Sequence, residues 1–147
     1  MNHVLKKVGL TGVLCGSMAL GACSTMSTLG HSQTWSMTTS ETVPAAIGKV
    51  KVANEKDGNT KVKVEVEHLA PPALAAETAA TYVVWIRPEN GAAQNVGILS
   101  VGSNRKGELD TRTSFKEFTV MVTLEKSAAA TYPSSATVLD SHITMPS

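Results

Sequence analysis

Alternating apolar and polar residues mark two consecutive strands in the first half of the chain. Residues 49–52 alternate lysine with valine, and residues 61–67 alternate lysine or glutamate with valine. Because successive side chains of a strand point to opposite faces, this period of two predicts two strands that each bury one face. The valines on the predicted buried face are Val50, Val52, Val62, Val64 and Val66.

The segment Glu55-Lys56-Asp57-Gly58-Asn59 supplies turn residues between these two strands, so we predict a β-hairpin. A two-residue loop at Asp57-Gly58 would set the valines of one strand on the charged face of the other, which excludes it. The hairpin loop must therefore contain an odd number of residues.

Two registers of the hairpin meet this condition. One pairs Val50 with Val66, and the other pairs Val50 with Val64 and sets Lys51 opposite Lys63. Like charges in opposing positions are unfavourable by a few tenths of a kcal/mol, so we predict the pairing of Val50 with Val66.

Five more segments have strand character and are separated by turn sequences, including those at residues 88–91 and 103–107. The five are Thr81–Arg87, Gln94–Val101, Glu108–Thr113, Glu117–Glu125 and Thr137–Ile143. Short strands at regular spacing, without a sustained helical period, predict an all-β fold, namely an antiparallel two-sheet immunoglobulin-like β-sandwich of about seven strands over residues 45–147. Residues 73–80 fit either one helical turn or a loop.

The stretch Tyr82-Val83-Val84-Trp85-Ile86 is apolar on both faces, which predicts a central strand covered by the core on one side and by a loop or a partner on the other. This makes Tyr82 and Trp85, with Arg87 at the end of the strand, the candidate partner-binding surface. Core packing is the competing interpretation of the two aromatic residues. A charge that simply ends the strand is the competing interpretation of Arg87.

Residues 1–22 have the organisation of a secretory signal peptide. Lys6 and Lys7 precede an uncharged apolar stretch that is shorter than the roughly 20 residues a membrane-spanning helix needs. The sequence Leu20-Gly21-Ala22-Cys23 resembles the lipobox of bacterial lipoproteins, which implies cleavage between Ala22 and Cys23 and lipidation of Cys23. An ordinary secreted protein with an incidental Cys23 is the alternative. In the lipoproteins it resembles, a residue other than Asp after the cysteine, here Ser24, implies the periplasmic face of the outer membrane.

Residues 23–44 are rich in Ser and Thr, and we predict that they form a flexible tether with a reach of roughly 25 Å. Trp35 and Met37 alternate with Ser36 and Thr38, however, so a first strand in this segment is the favoured alternative. Insertion of Trp35 into the lipid interface is the other one.

Charge and composition exclude several classes of protein. The 147 residues carry a net charge of +1, which becomes −1 without Lys6 and Lys7, from 11 basic against 12 acidic residues. Neither value provides the basic surface of a nucleic-acid-binding protein or of a domain held electrostatically to a membrane. We therefore expect one domain whose membrane attachment depends on the lipid at Cys23, with an envelope protein as a potential partner.

The inventory of reactive residues predicts no metal, no cofactor and no enzymatic activity. His31, His68 and His142 are scattered without the spacing of a zinc or copper site. Glu65 and Glu67 share a strand face about 7 Å apart, a spacing that paired catalytic carboxylates also have. Because they alternate with lysines on an exposed face, we interpret them as solvated surface charges.

Several segments, taken in order, look like the extracytoplasmic domain of the anti-sigma-K-factor (RskA) family. They are Tyr82 to Ile86, Pro88-Glu89-Asn90-Gly91, Asn95 to Leu99, Val120 to Glu125, and Pro133 followed by Val138-Leu139. The resemblance implies a related β-sandwich and carries over no catalytic residues. That family also has a zinc-associated cytoplasmic domain that binds the sigma factor and a transmembrane helix, and neither has a counterpart in this sequence.

The sequence therefore predicts a non-catalytic, lipid-anchored periplasmic domain that binds an envelope component or has a structural role. The alternative is the sensory extracytoplasmic part of an envelope signalling system of the anti-sigma type.

Overall fold

The computed structural model describes residues 31–75 and 80–146, and nearly all of their regular structure is antiparallel β. The strands are β1 (Gln33–Ser36), β2 (Thr38–Thr39), β3 (Ile47–Asn54), β4 (Thr60–Glu67), β5 (Thr81–Pro88), β6 (Gln94–Val101), β7 (Gly107–Thr113), β8 (Glu117–Glu125) and β9 (Thr137–Thr144), and one helical turn, α1, spans Pro72–Ala75. The all-β prediction is confirmed. The five strands predicted after residue 80 begin and end within one residue of those observed.

The strands form one sheet in the order β1-β3-β4-β7-β6-β5-β8-β9-β2. β1 and β2 stand at opposite ends of this order although only Met37 separates them in the chain. The segment 33–39 therefore pairs with β3 through β1 and with β9 through β2, and the sheet nearly closes on itself.

The structure thus has a nearly closed sheet of nine strands where the sequence predicted seven strands in an immunoglobulin-like sandwich. The two additional strands lie inside residues 23–44, predicted as a tether, so strand structure begins at Gln33 rather than after residue 44. The favoured alternative, a first strand around Trp35 and Met37, agrees with the structure. The high Ser and Thr content of this segment favoured the tether, whereas these strands are held mainly by backbone hydrogen bonds. The signal segment 1–22, Cys23 and the rest of the tether up to residue 30 lie outside the described residues.

Gly48 allows the close approach at Met37, where the first segment passes from one end of the sheet to the other. The Met37 N–H donates to the carbonyl of Gly48 at 2.9 Å. A Cβ atom at residue 48 would lie 2.8 Å from the Met37 sulfur, closer than the two atoms can pack. On the β9 side, Ser141 Oγ donates to the carbonyl of Ser36 at 3.1 Å.

The predicted register of the first hairpin is wrong. Val50 pairs with Val64, and Lys51 lies directly opposite Lys63. The loop is odd, as predicted, but the turn fixes its register: the Gly58 N–H donates to the carbonyl of Glu55 at 3.1 Å, and Gly58 has a φ of 86°. A turn that ends on a left-handed glycine leaves only one pairing for the residues that flank it.

Acidic residues of β4 and of the third strand, β7, offset the repulsion between the two lysines. Lys51 Nζ lies 2.7 Å from Glu65 of β4, and Lys63 Nζ lies 3.1 Å from Glu108 of β7. The hydrogen bond and charge of Glu108 raise the pKa of Lys63. The prediction overestimated the cost of the lysine pair because it counted only directly opposite residues of two strands and lacked Glu108 of the third.

The core lies inside the curved sheet and contains the residues that the alternation predicted. The five valines of β3 and β4 are at most 2% exposed. They form one cluster with residues of the remaining long strands, including Tyr82, Phe118 and Leu139. Half-buried Val96, Leu109 and Phe115 pack against the margin of this cluster.

Val64→Asp is expected to unfold the domain, because Val64 is 0% exposed and a buried carboxylate without a partner costs about 4 kcal/mol or more. Ile98→Asp is the matched control, since Ile98 also lies on a strand but is 43% exposed, and it should cost less than about 1 kcal/mol. Urea unfolding followed by circular dichroism measures both. Equal midpoints for the two variants would contradict the assignment of the buried face.

Candidate functional site

Tyr82, Trp85 and Arg87, the predicted partner-binding residues, do not form a common surface. Tyr82 lies on the inner face of β5 and is 0% exposed. Its hydroxyl donates to the carbonyl of Ala70 at 2.9 Å, and burial raises its pKa. This environment agrees with the core-packing interpretation of Tyr82.

Trp85 lies on the opposite face of β5 and is also 0% exposed. It forms a second, smaller apolar cluster with Val83 and Met121, against which Ala93 and Ala130 pack. Ala130 belongs to the β8–β9 loop (residues 126–136), which covers this part of the sheet. The second face of the central strand is therefore covered by a loop, one of the two predicted possibilities.

Arg87 is the exposed member of the three, at a position opposite Thr119 of β8. Within the described part of the chain, its guanidinium forms no ion pair with an acidic side chain. Arg87 is therefore separated from the two buried aromatic side chains and lies on the surface by itself.

A buried carboxylate lies beside Trp85 and was not predicted from the sequence. Glu125, at the end of β8, is 1% exposed. Thr123 Oγ1 donates to Glu125 Oε1 at 2.6 Å, and Trp85 Nε1 donates to the same Thr123 oxygen at 2.8 Å. Ser134 of the β8–β9 loop donates its N–H to Oε1 at 3.0 Å and its hydroxyl to Oε2.

These donors keep Glu125 ionised despite its burial. Burial alone would raise the pKa of Glu125, but the hydrogen bonds of Ser134, Thr123 and the Ser135 backbone outweigh it, and the pKa lies below its usual value. A carboxylate that accepts several hydrogen bonds from one loop holds that loop to the sheet.

Asn95 of β6 provides the second attachment of the β8–β9 loop. Its Nδ2 donates to the carbonyls of Ala128 and Ala130, each at 2.9 Å. Its Oδ1 accepts from the Gly97 N–H at 3.1 Å. The loop is thus anchored near its start by Asn95 and near its end by Glu125, with the Trp85 cluster beneath it.

Sequence reasoning missed Glu125 and Asn95, although one signal was available. On β5, Val83 and Trp85 lie on the second face, which was predicted to be covered by a loop or a partner, and Met121 of β8, opposite Trp85, is apolar on the same face. Apolar residues at neighbouring positions of two paired strands indicate a covered second face, and a polar residue beside such a patch needs a buried partner.

The outer face of β3, β4 and β7 carries alternating charges along a groove of about 510 Å³. Lys106 Nζ lies 2.8 Å from Glu67, and its hydrogen bond holds the pKa of Glu67 below the usual value. The hydrogen bond of Lys51 does the same for Glu65. The two glutamates are surface charges, as predicted, and each is paired with a lysine.

A second groove, of about 500 Å³, is more apolar and lies above Tyr82. Its walls come from α1, from the segment that follows β2, and from the adjoining ends of β8 and β9. Leu74 of α1 is 76% exposed beside it. Lys126 is the only charged residue among those that line the groove, so its surface suits contact with apolar groups rather than catalysis.

The described residues hold no group of three or more His, Cys, Asp or Glu side chains placed to bind a metal ion. His68 follows β4 with a φ of 58° and is exposed, and His142 lies on β9 with Nε2 at 3.3 Å from Glu117. Over residues 31–75 and 80–146, no helix is long and apolar enough to span a membrane.

No protein-family model matches the chain, and no curated protein matches its sequence.

Glu125→Gln is expected to lower the free energy of unfolding at pH 7 by about 1–3 kcal/mol, because the amide replaces an ionised acceptor that holds the β8–β9 loop. The ionised carboxylate stabilises the fold fully above its unfolded pKa, near 4.5, and this stabilisation disappears as the pH falls through the lower folded pKa. The difference between wild type and variant should therefore be largest at neutral pH and shrink below about pH 4.5.

Urea unfolding at a series of pH values measures this difference, with Glu89→Gln, an exposed residue of the β5–β6 turn, as the matched control. A difference that stays constant from pH 7 to about pH 3 would show that Glu125 is not held as a carboxylate.

Proposed function

We propose that the protein is a lipid-anchored domain of the bacterial cell envelope, attached through Cys23, with a non-catalytic binding or structural role. The observation that carries the proposal is the short distance along the chain between Cys23 and the sheet. Only nine residues separate Cys23 from Gln33, the first residue of β1. Such a spacer holds the domain close to the membrane, at a shorter distance than the tether of 22 residues predicted from sequence.

The use of the buried polar side chains supports a non-catalytic role. Thr60 accepts a hydrogen bond from Lys116 Nζ at 3.0 Å, and Ser141 binds the backbone of Ser36. Thr123 and Glu125 hold the β8–β9 loop. Each of these four side chains stabilises a junction between elements. Such a role is typical of structural residues rather than of catalytic ones.

The cellular location belongs to the same proposal. Cleavage before Cys23 and acylation of its thiol would leave a mature chain held by its lipid. Ser24 in the position after the cysteine favours the periplasmic face of the outer membrane. A partner in this location would be a component of the envelope, and nucleic acid has no part in the proposal.

The strand order divides the sheet into two groups. The strands β1-β3-β4-β7 and β6-β5-β8-β9-β2 meet at a short contact, since β6 and β7 pair at only two positions. We infer that these two groups correspond to the two layers of an immunoglobulin-like sandwich. Residues 33–39 join the two layers, because β1 belongs to one group and β2 to the other.

The sensory alternative has one observation in its favour. The segments that resemble the extracytoplasmic domain of the anti-sigma-K-factor family lie in and around β6, β5, β8 and β9, which are four neighbouring strands of the sheet. Segments dispersed in the sequence thus form one continuous part of the fold. A signalling role would then require a membrane-spanning partner to carry the signal.

Cells grown with a radioactive fatty acid should label the wild-type protein and leave Cys23→Ser unlabelled, because the thiol is the acceptor. Cys15→Ser is the matched control and should be labelled like the wild type. Labelling is measured after immunoprecipitation and gel electrophoresis. Equal labelling of wild type and Cys23→Ser would overturn the anchor.

Affinity purification of the tagged full chain from crosslinked membranes distinguishes the two functions. Recovery of an integral membrane signalling protein, lost in a non-lipidated Cys23→Ser control, would favour the sensory role. Recovery of envelope proteins without a signalling domain is expected under the leading proposal. Identical recovery with the Cys23→Ser control would show that binding of the partner does not require the membrane anchor.

A further inference from the structure

The side of β7 that faces away from β4 is a regular edge without a strand partner over most of its length. β7 pairs with β4 along seven residues without interruption. On its other side, β7 meets β6 only at Gly107 and Glu108, so the edge from Leu109 to Thr113 has no strand partner within the described chain. Free backbone groups along such an edge are a template for another strand.

The opposing edge, on β6, is protected. Its pairing with β5 shifts register between Val84 and Trp85, and Gly97 adopts a φ of 139°. A bulge and a glycine in a positive-φ conformation disrupt the ladder of hydrogen bonds that a new strand would need. β7 has no bulge, no proline and no inward-pointing charge, so it is the edge open to pairing.

When two copies of this edge run antiparallel, their charged side chains are complementary. Asp110 and Arg112 lie on the outer face of β7, one on each side of Thr111 in the sequence. Their side chains are 48% and 65% exposed. In an antiparallel pair centred on Thr111, each Asp110 lies opposite an Arg112 of the other strand, twice by symmetry. We propose that two copies of this chain associate through their β7 edges about a two-fold axis at Thr111, forming one sheet across both copies.

Alternative registers are excluded by pleat and charge. A shift by one residue sets the inner face of one strand beside the outer face of the other. A centre at Asp110 sets Arg112 opposite Glu108 twice but brings two carboxylates together at the axis, and a centre at Arg112 brings two guanidinium groups together there. Only the centre at Thr111 pairs opposite charges without a like-charge pair. In the β3–β4 hairpin a turn fixed the register against charge, but two separate chains have no turn, so side-chain complementarity decides.

The ion pairs within one copy leave both side chains able to form the new contacts. Asp110 lies 3.7 Å from Lys61 and 4.0 Å from Lys63, so its carboxylate has no short contact to break. Arg112 uses Nε, 3.1 Å from Glu55, and its two terminal nitrogens remain to bind a carboxylate. Glu108 would face the small Ser114 of the other copy rather than a like charge.

This inference goes beyond the proposed function and does not depend on lipidation, because the edge belongs to the folded domain. Anchoring both copies in one membrane would increase their effective concentration and favour the pairing.

Sedimentation velocity of the full chain in mild detergent tests the association over about 1–500 µM. We expect a dimer that dissociates on dilution. Asp110→Arg and Arg112→Asp should each weaken it at least about tenfold, because like charges then oppose each other twice. The double variant carrying both changes should restore association to within about threefold of wild type.

Glu89→Arg is the control for the change in net charge and should dimerise like the wild type, and circular dichroism verifies that every variant is folded. A wild-type chain that stays monomeric over this range overturns the proposal. Single variants that dimerise normally, or a double variant that does not recover, also overturn it.

Crosslinking tests the register separately. Thr111→Cys should form an intermolecular disulfide under mild oxidation, because the two residues at the axis lie opposite each other. Thr113→Cys, on the same face of the same strand, would lie opposite Leu109 of the other copy and should not crosslink. Equal crosslinking of both variants would contradict pairing centred on Thr111.

Discussion

Backbone N–H and C=O groups at the margins of an antiparallel sheet must find partners or remain in water, and this constraint organises the domain. The segment 33–39 satisfies two margins at once, since β1 pairs with β3 and β2 pairs with β9. The crossing at Met37 requires a neighbour without a side chain, which Gly48 provides. The sheet can then curve around one core, and the edge of β7 from Leu109 to Thr113 remains regular and without a strand partner among the described strands.

The sequence predicted most of the long strands because their buried faces alternate strictly with charged or polar ones. Val62, Val64 and Val66 occupy alternate positions, and a strand is the structure that places all three on one buried face. The register of their hairpin was not predictable from cross-strand charges, because the turn at Gly58 and the acidic residues of β7 both act on it. The strands within residues 33–39 were predicted only as the favoured alternative to a tether, from the alternation of Trp35 and Met37 with polar residues, because the backbone rather than apolar side chains holds them.

The candidate site was predictable only in part. The aromatic residues of β5 were correctly placed on a central strand, and the competing interpretation of core packing agrees with their complete burial. What the sequence did not reveal is the group that covers Trp85. Glu125 and Ser134 are nine residues apart, and their contact depends on how the β8–β9 loop folds back over the sheet. Local patterns contain no information about such a contact.

The closing pair of strands has a consequence for the order of folding. Thr38 pairs with Asp140, so the chain ends of the described domain meet across about a hundred residues of sequence. β9 is therefore synthesised about a hundred residues after its partner β2. The sheet cannot close until β9 has been added, and a contact of such long range makes folding slow. Until then the edge of β8 that pairs with β9 is exposed, and chaperones can bind there.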